Sequence, residues 1–277
     1  MEHFESPYRP SDFVSSRAVE NRAFFHDTII RAKAHRFFSH PFMTVLDDTT
    51  PSPEVVAFIL TSFYKIVSPF TGLLCTLGGR APDLRSRFAL MDNIYEEMGR
   101  GNLAEAHPSL YLRMLASIGV SARAAEAQRT LPSIRRINDH LHEVVERRTF
   151  AVACAVLASA EATIPPSFPV LAKMARKAFP DVDMGFFDRH GPRDEGHSDD
   201  AAMLFSVTAD SSDYATVETE VRLDLDYRVE LFDEWMEAIR AGAPVHVAAS
   251  DRPPRYISER PPRRPSVRPG GSVSPRR

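Results

Sequence analysis

Residues 151–160 read Ala-Val-Ala-Cys-Ala-Val-Leu-Ala-Ser-Ala, the most apolar stretch of the chain. A helix that crosses a membrane needs roughly 18 or more apolar residues, so a run of this length suits a helix buried in a protein core. The residue that follows is Glu161. A carboxylate at the end of so apolar a segment is carried inside with it. A lone buried ion costs on the order of several kcal/mol. Glu161 therefore needs a compensating cation, and an arginine or a metal would serve equally well.

Around this run, apolar residues recur at helical spacing. Ala18, Phe24, Phe25, Ile29, Ile30, Ala34, Phe37 and Phe38 predict a helix from about Arg17 to Ser39, closed by Pro41 and by Asp47-Asp48-Thr49-Thr50-Pro51. Ser52 has the character of an N-cap with Pro53 at the first helical position. The helix it starts is expected to reach about Leu77, to kink at Pro69 and to end at Gly78-Gly79. Further helices are expected at about 82–98, 107–118, 132–163 (with a break, and ending before Pro165-Pro166), 167–179, 183–190, from near Pro192 to about 210, and 213–241. No alternating apolar and polar run persists long enough to argue for a sheet, and there is no internal repeat. Eight or nine helices predict an all-α fold more elaborate than a four-helix bundle.

The 277 residues fit one large domain or two small ones, and 43% apolar and 26% charged residues are ordinary for a globular protein. A net charge of -3 gives no global attraction to nucleic acid or anionic membranes. The start lacks a basic segment leading into an apolar run, so no secretory signal is expected. Cys75 and Cys154 make no disulfide framework and fit a reducing cytosol, which together predict a cytoplasmic protein with no membrane partner. Residues 1–16 are polar with two prolines and read as an N-terminal arm, ahead of a helical domain over 17–243. Residues 244–277 are rich in Arg, Pro and Ser from Asp251 onward and read as a disordered tail, because such a segment buries too little surface to offset its ordering entropy. Its role is either that of a solvated tail or of a weak contact with an anion, a partner or nucleic acid.

The residues able to carry chemistry lie between 93 and 200. Glu97 falls at the end of one expected helix and His107 at the start of the next, with Gly99 and Gly101 in the short loop between them. Glu161 is the second element. The third is the segment Phe187-Asp-Arg-His190-Gly-Pro-Arg-Asp194-Glu-Gly-His197, in which His190, Asp194 and His197 stand at i, i+4 and i+7. Pro192 is tolerated only in a first helical turn, so His190 is expected just before that helix and the other two within it. Three carboxylates and three imidazoles form a sensible set for two iron or manganese ions. Two divalent cations and three carboxylates leave a surplus of roughly one positive charge, which favours an anionic ligand. Taken singly, each residue has a plainer reading: Glu97 as a surface residue, His107 as a helix-start residue, and the last three as a solvated face or a hydrolytic zinc site.

The order Glu97, His107, Glu161, His190-x3-Asp194-x2-His197 resembles that of the haem-oxygenase-like di-iron oxidases and oxygenases, related in fold to the TenA- and PqqC-like proteins. The resemblance spans roughly residues 17–240. It implies a haem-oxygenase-like seven-helix bundle that takes up two Fe(II) ions and reacts with O2. It also implies a small amine, amino acid or fatty acid as substrate, in natural-product biosynthesis, with N-oxygenation, oxidative C–C cleavage or decarboxylation as the reaction. One departure stands out. Some N-oxygenating members carry a further metal-binding carboxylate upstream of the first Glu, yet no Asp or Glu occurs here between Glu54 and Asp83, and neither Asp83 nor Asp92 is well spaced to replace it.

Other residues compete for places at the site. Lys65 is a candidate for binding a substrate carboxylate, with snorkelling to solvent as its plainer role. Tyr64 and Tyr95 are candidates for hydrogen bonding near the metals, against core packing, and Arg193 for steering an anion, against simple solvation. His26 and His35 occupy a first helix, where haem oxygenases hold their proximal ligand. The alternative enzyme on this fold is a cofactor-free or thiaminase-like hydrolase, and Cys154, at i−7 from Glu161, matches the nucleophile of the thiaminase-like one, against the plainer role of a small buried hydrophobe. A third alternative is a non-enzymatic scaffold whose tail binds partners. A homodimer is the default expectation for assembly.

Overall fold

The computed structural model describes residue 12, residues 15–189 and residues 194–244, with the backbone alone over 194–198. Most of the expected arm and all of the expected tail beyond Pro244 lie outside the described residues. Among the described residues there are twelve α-helices and no strand: α1 (Ser16–Ala32), α2 (Val45–Asp48), α3 (Pro53–Arg80), α4 (Leu84–Glu97), α5 (His107–Ser117), α6 (Ala122–Ala127), α7 (Pro132–Arg147), α8 (Phe150–Glu161), α9 (Ile164–Ala178), α10 (Gly185–Arg189), α11 (Asp194–Thr208) and α12 (Tyr214–Ala241).

Every residue of α8 is buried, including Glu161. A helix that is apolar all round has no face to offer water, and α8 is enclosed by α3, α7, α11 and α12. Alanines at 151, 153, 155, 158 and 160 keep its surface thin, so the surrounding backbones approach closely. The α3 helix and the run Phe150–Ala178 are each long and apolar enough by composition to cross a membrane. Here both are walls of one core.

Side chains close the helix ends as their residue types anticipate. Ser52 Oγ accepts the Val55 N–H at the start of α3, and Asp83 Oδ1 accepts the Ser86 N–H at the start of α4. The long helix expected over 132–163 breaks at Arg148-Thr149. Thr149 Oγ1 accepts the Val152 N–H to cap α8 and donates to Asp213 Oδ1 at the foot of α12. Arg80 donates to the carbonyls of Val145 and Arg148, which closes α7. The α11 helix is fastened at its far end, where Asn21 Nδ2 donates to the carbonyls of Ser206 and Ala209, both at 2.9 Å.

Several boundaries differ from expectation. The first helix stops at Ala32, and the chain continues through 3-10 turns at Arg36–Ser39 and Pro41–Thr44. The α3 helix runs through Gly78-Gly79 to Arg80. Gly78 marks a close crossing, since a Cβ there would lie 3.3 Å from Cδ1 of Ile94 on α4. Pro165 and Pro166 sit inside the first turn of α9, where a missing N–H costs nothing, and so they open that helix rather than closing the one before. The short helix α6 was not anticipated.

Pro69 lies within α3, and its missing N–H leaves the carbonyl of Lys65 without its helical partner. Asn138 of α7 supplies the substitute, with Nδ2 2.9 Å from that oxygen. Replacing Asn138 with Ala should orphan the carbonyl and cost about 1–3 kcal/mol in chemical denaturation. In a Pro69→Ala background, which restores the backbone donor, the same change should cost measurably less.

Candidate metal centre

Glu97 is the last residue of α4 and His107 the first of α5. The chain between them reverses through three consecutive residues of positive φ: Gly99 (70°), Arg100 (54°) and Gly101 (86°). At Gly99 the turn is packed against its own return. A Cβ there would stand 2.4 Å from the backbone nitrogen of Ala106, the residue just before His107. The strap brings His107 Nδ1 to 2.8 Å from Glu97 Oε2, with both side chains buried. That spacing suits two donors on one cation, since adjacent ligands on an octahedral ion sit about 3 Å apart when each metal bond is about 2.1 Å.

Glu161, at the C-terminal end of α8, borders the same cavity as this pair. The cavity measures about 90 Å³ and is otherwise largely apolar, with Phe63, Ile66, Phe168, Phe186, Phe232 and Trp235 among its walls. A water occupies roughly 10–15 Å³ by the same measure, so the space holds about six to nine atoms of water size. Glu161 also borders a second cavity of about 10 Å³, together with Asn93 of α4 and Asp200 of α11, which is room for about one water. Asn93 and Asp200 were not anticipated as neighbours of the site. Asp200 stands three residues beyond His197, the spacing that puts two positions on one helical face, and this was the available signal.

His190 and Arg193 lie outside the described residues, as do the side chains of Asp194 and His197. Among the described residues, no three His, Cys, Asp or Glu side chains converge closely enough to hold a metal ion. The residues brought together are Glu97 and His107, with Glu161 on the same cavity. Oxygen and imidazole nitrogen donors of this type fit iron, and no thiolate is required.

Tyr64, Lys65 and Tyr95 are not among the residues that line the cavity. The reason is helical phase. The α3 face on the cavity is Phe63, Ile66, Val67 and Phe70, at i, i+3, i+4 and i+7. Tyr64 and Lys65 fall about 100° and 200° round the helix from Phe63. Tyr64 packs near the ring of Tyr111, 6.1 Å away. Lys65 Nζ donates to the carbonyl of Glu126 at 2.6 Å, and partial burial lowers its pKa, opposed in part by Glu126. Tyr95 is on the outside of α4, 42% exposed. His26 is exposed and His35 pairs with Asp226 at 3.1 Å, so neither borders the cavity. Cys154 is fully buried in the core, away from the cavity, and burial pushes its thiol pKa far up. A thiol held in that form is no nucleophile.

The family model for iron-containing redox enzymes matches residues 58–227, more than half of the chain. The chain belongs to that family. All six residues picked out from the sequence fall within the matched stretch. The fold of this iron-containing redox enzyme family member is haem-oxygenase-like. A TenA homolog from Pseudomonas syringae superposes with a TM-score of 0.59 at 17% identity, covering 86% of this chain and 99% of its own. A CADD-like protein of unknown function from Nostoc punctiforme gives 0.66 at 16% identity, covering 80% and 99%. A domain of unknown function with a heme oxygenase-like fold from Shewanella denitrificans gives 0.60 at 15% identity, covering 83% and 96%. No curated protein sequence matches the chain.

Two outcomes test this description. Gly99→Ala forces a Cβ into backbone and an L side chain into left-handed φ, so it should destabilise the fold by more than about 1–2 kcal/mol in a denaturant titration. With a maleimide reagent, exposed Cys75 should label within the native protein, and Cys154 only after unfolding.

Proposed function

We propose that this chain is a non-haem di-iron, O2-dependent oxidase or oxygenase for a small amine or amino-acid-like metabolite. Its reaction would be an N-oxygenation or an oxidative C–C cleavage, within natural-product biosynthesis in the cytoplasm. The ligands are Glu97, His107, Glu161, His190, Asp194 and His197. The observation that carries this reading is the buried Glu97–His107 pair, 2.8 Å apart, on a cavity that a second buried carboxylate, Glu161, also borders. Membership of an iron-containing redox family supports it.

Helical register supports Asp194 and His197. Positions 194, 197, 201 and 204 recur at the spacing of one helical face, and Ala201 and Leu204 are buried beside Glu161 on the smaller cavity. When bound, iron supplies the activation of dioxygen. The chain's own residues do the remainder. Glu97 and Glu161 bring negative charge into a region of low polarity, which a divalent cation offsets. The aromatic walls exclude water and hold an organic substrate beside the acids and imidazole. The burial of Cys154 counts against that thiol as the nucleophile of the thiaminase-like alternative.

Anaerobic titration of the metal-free protein with Fe(II) should reach two ions per chain, and addition of O2 with a competent substrate should consume oxygen. His107→Ala and Glu161→Ala should each weaken iron uptake by at least about 100-fold while helicity stays near wild type. Full iron binding and oxygen consumption in both variants would overturn the assignment. Turnover that persists without oxygen would point to the hydrolase instead.

A further inference from the structure

Among the described residues, the cavity holds one charged residue that the iron chemistry does not use. Arg228 of α12 borders it, although its side chain is only 12% exposed. Its Nε donates to Oδ2 of Asp224, one turn earlier on the same helix, at 2.7 Å. Asp224 is fully buried, and its Oδ1 has no hydrogen-bond partner among the described residues. Glu97 and Glu161 line the same cavity, yet among the described residues Arg228 pairs with Asp224 and with neither of them.

A guanidinium carries five N–H donors in a flat fork, and Asp224 engages the Nε edge. The remaining donors belong to the two terminal nitrogens. The group that matches two parallel N–H bonds from them is a planar carboxylate. Asp224 fixes the orientation of the fork and lowers the cost of burying the charge.

The two charged regions are joined by aromatic rings. His107 is 6.3 Å from Phe186, Phe186 5.8 Å from Phe168, Phe168 5.6 Å from Phe63, Phe63 6.1 Å from Trp235, and Trp235 5.6 Å from Phe232. Phe232 is one helical turn from Arg228. A molecule that reaches from Arg228 to His107 therefore runs along an apolar wall.

We propose that Arg228, oriented by Asp224, is the receptor for the carboxylate of a small, otherwise largely apolar amino-acid-like substrate, whose other end is presented to Glu97, His107 and Glu161. The proposal deepens the oxygenase reading and takes from it only which end reacts. The carboxylate is thus a handle, bound away from the acids and imidazole.

Trp235 is the chain's single tryptophan and lines the cavity, so its fluorescence reports occupancy. The probes are hexanoate and its neutral isostere hexanamide, each of eight heavy atoms, about the capacity of the cavity. Titration of the full-length protein in excess chelator should show hexanoate binding at least about 10-fold tighter than hexanamide. Arg228→Lys keeps the charge but loses the fork and should reduce that preference several-fold. The double variant Asp224→Asn with Arg228→Gln removes both charges without leaving either alone, and should abolish the preference while hexanamide binds as before.

No preference in the wild-type protein, or a preference unchanged in the folded variants, would overturn the proposal. A preference that appears only after Fe(II) is added would do so too, because the carboxylate would then be binding the metal. Since the first measurement is made without iron, it can succeed where iron loading fails, and the two readings fall separately.

Discussion

The architecture depends on keeping α8 dry. Its residues are apolar on every side, and it is stable only inside a shell of other helices. That requirement draws α3, α7, α11 and α12 round it, and the same enclosure carries Glu161 inward as the last residue of the helix. The cost of burying a carboxylate is thereby built into the fold. The position of the site follows, because the cavity opens where α8 ends and where α3, α9 and α12 present aromatic side chains to the gap.

The side chains that meet there are positioned by two different means. Glu97 and His107 are ten residues apart, and one tight turn sets their separation. Glu161, Asp200 and Arg228 come from three separate helices, and their places depend on packing across the bundle. The far end of α11 is fixed through Asn21, whose Oδ1 in turn accepts the hydroxyl of Tyr214 at 2.7 Å. That polar knot ties α1, α11 and α12 together, away from the cavity.

What could be read from the sequence follows the same division. The buried helix over 151–160 was legible because no other environment suits such a run, and the cap at Ser52 obeys local chemistry. The meeting of Glu97 and His107 was legible because a short glycine-bearing loop leaves few alternatives. Tyr64 and Lys65 were misplaced because proximity in sequence says nothing of helical phase until the face of α3 is known. Arg228 was missed because its partner and its cavity are both tertiary. The hint was a charged series at 220, 224 and 228, one turn apart, on a helix whose neighbouring positions are apolar. Glu220 is buried against Arg148 in the same way that Asp224 is buried against Arg228.

The break in the hydrogen-bond ladder of α3 bears on how the cavity behaves mechanically. Pro69 and the carbonyl it leaves free lie within the same turns that contribute Ile66, Val67 and Phe70 to the cavity wall. A regular helix resists bending through every rung, but this wall relies at one rung on a single amide reaching over from α7. Compliance of the chamber is therefore concentrated at one known spot, and the neighbour that stiffens it is Asn138.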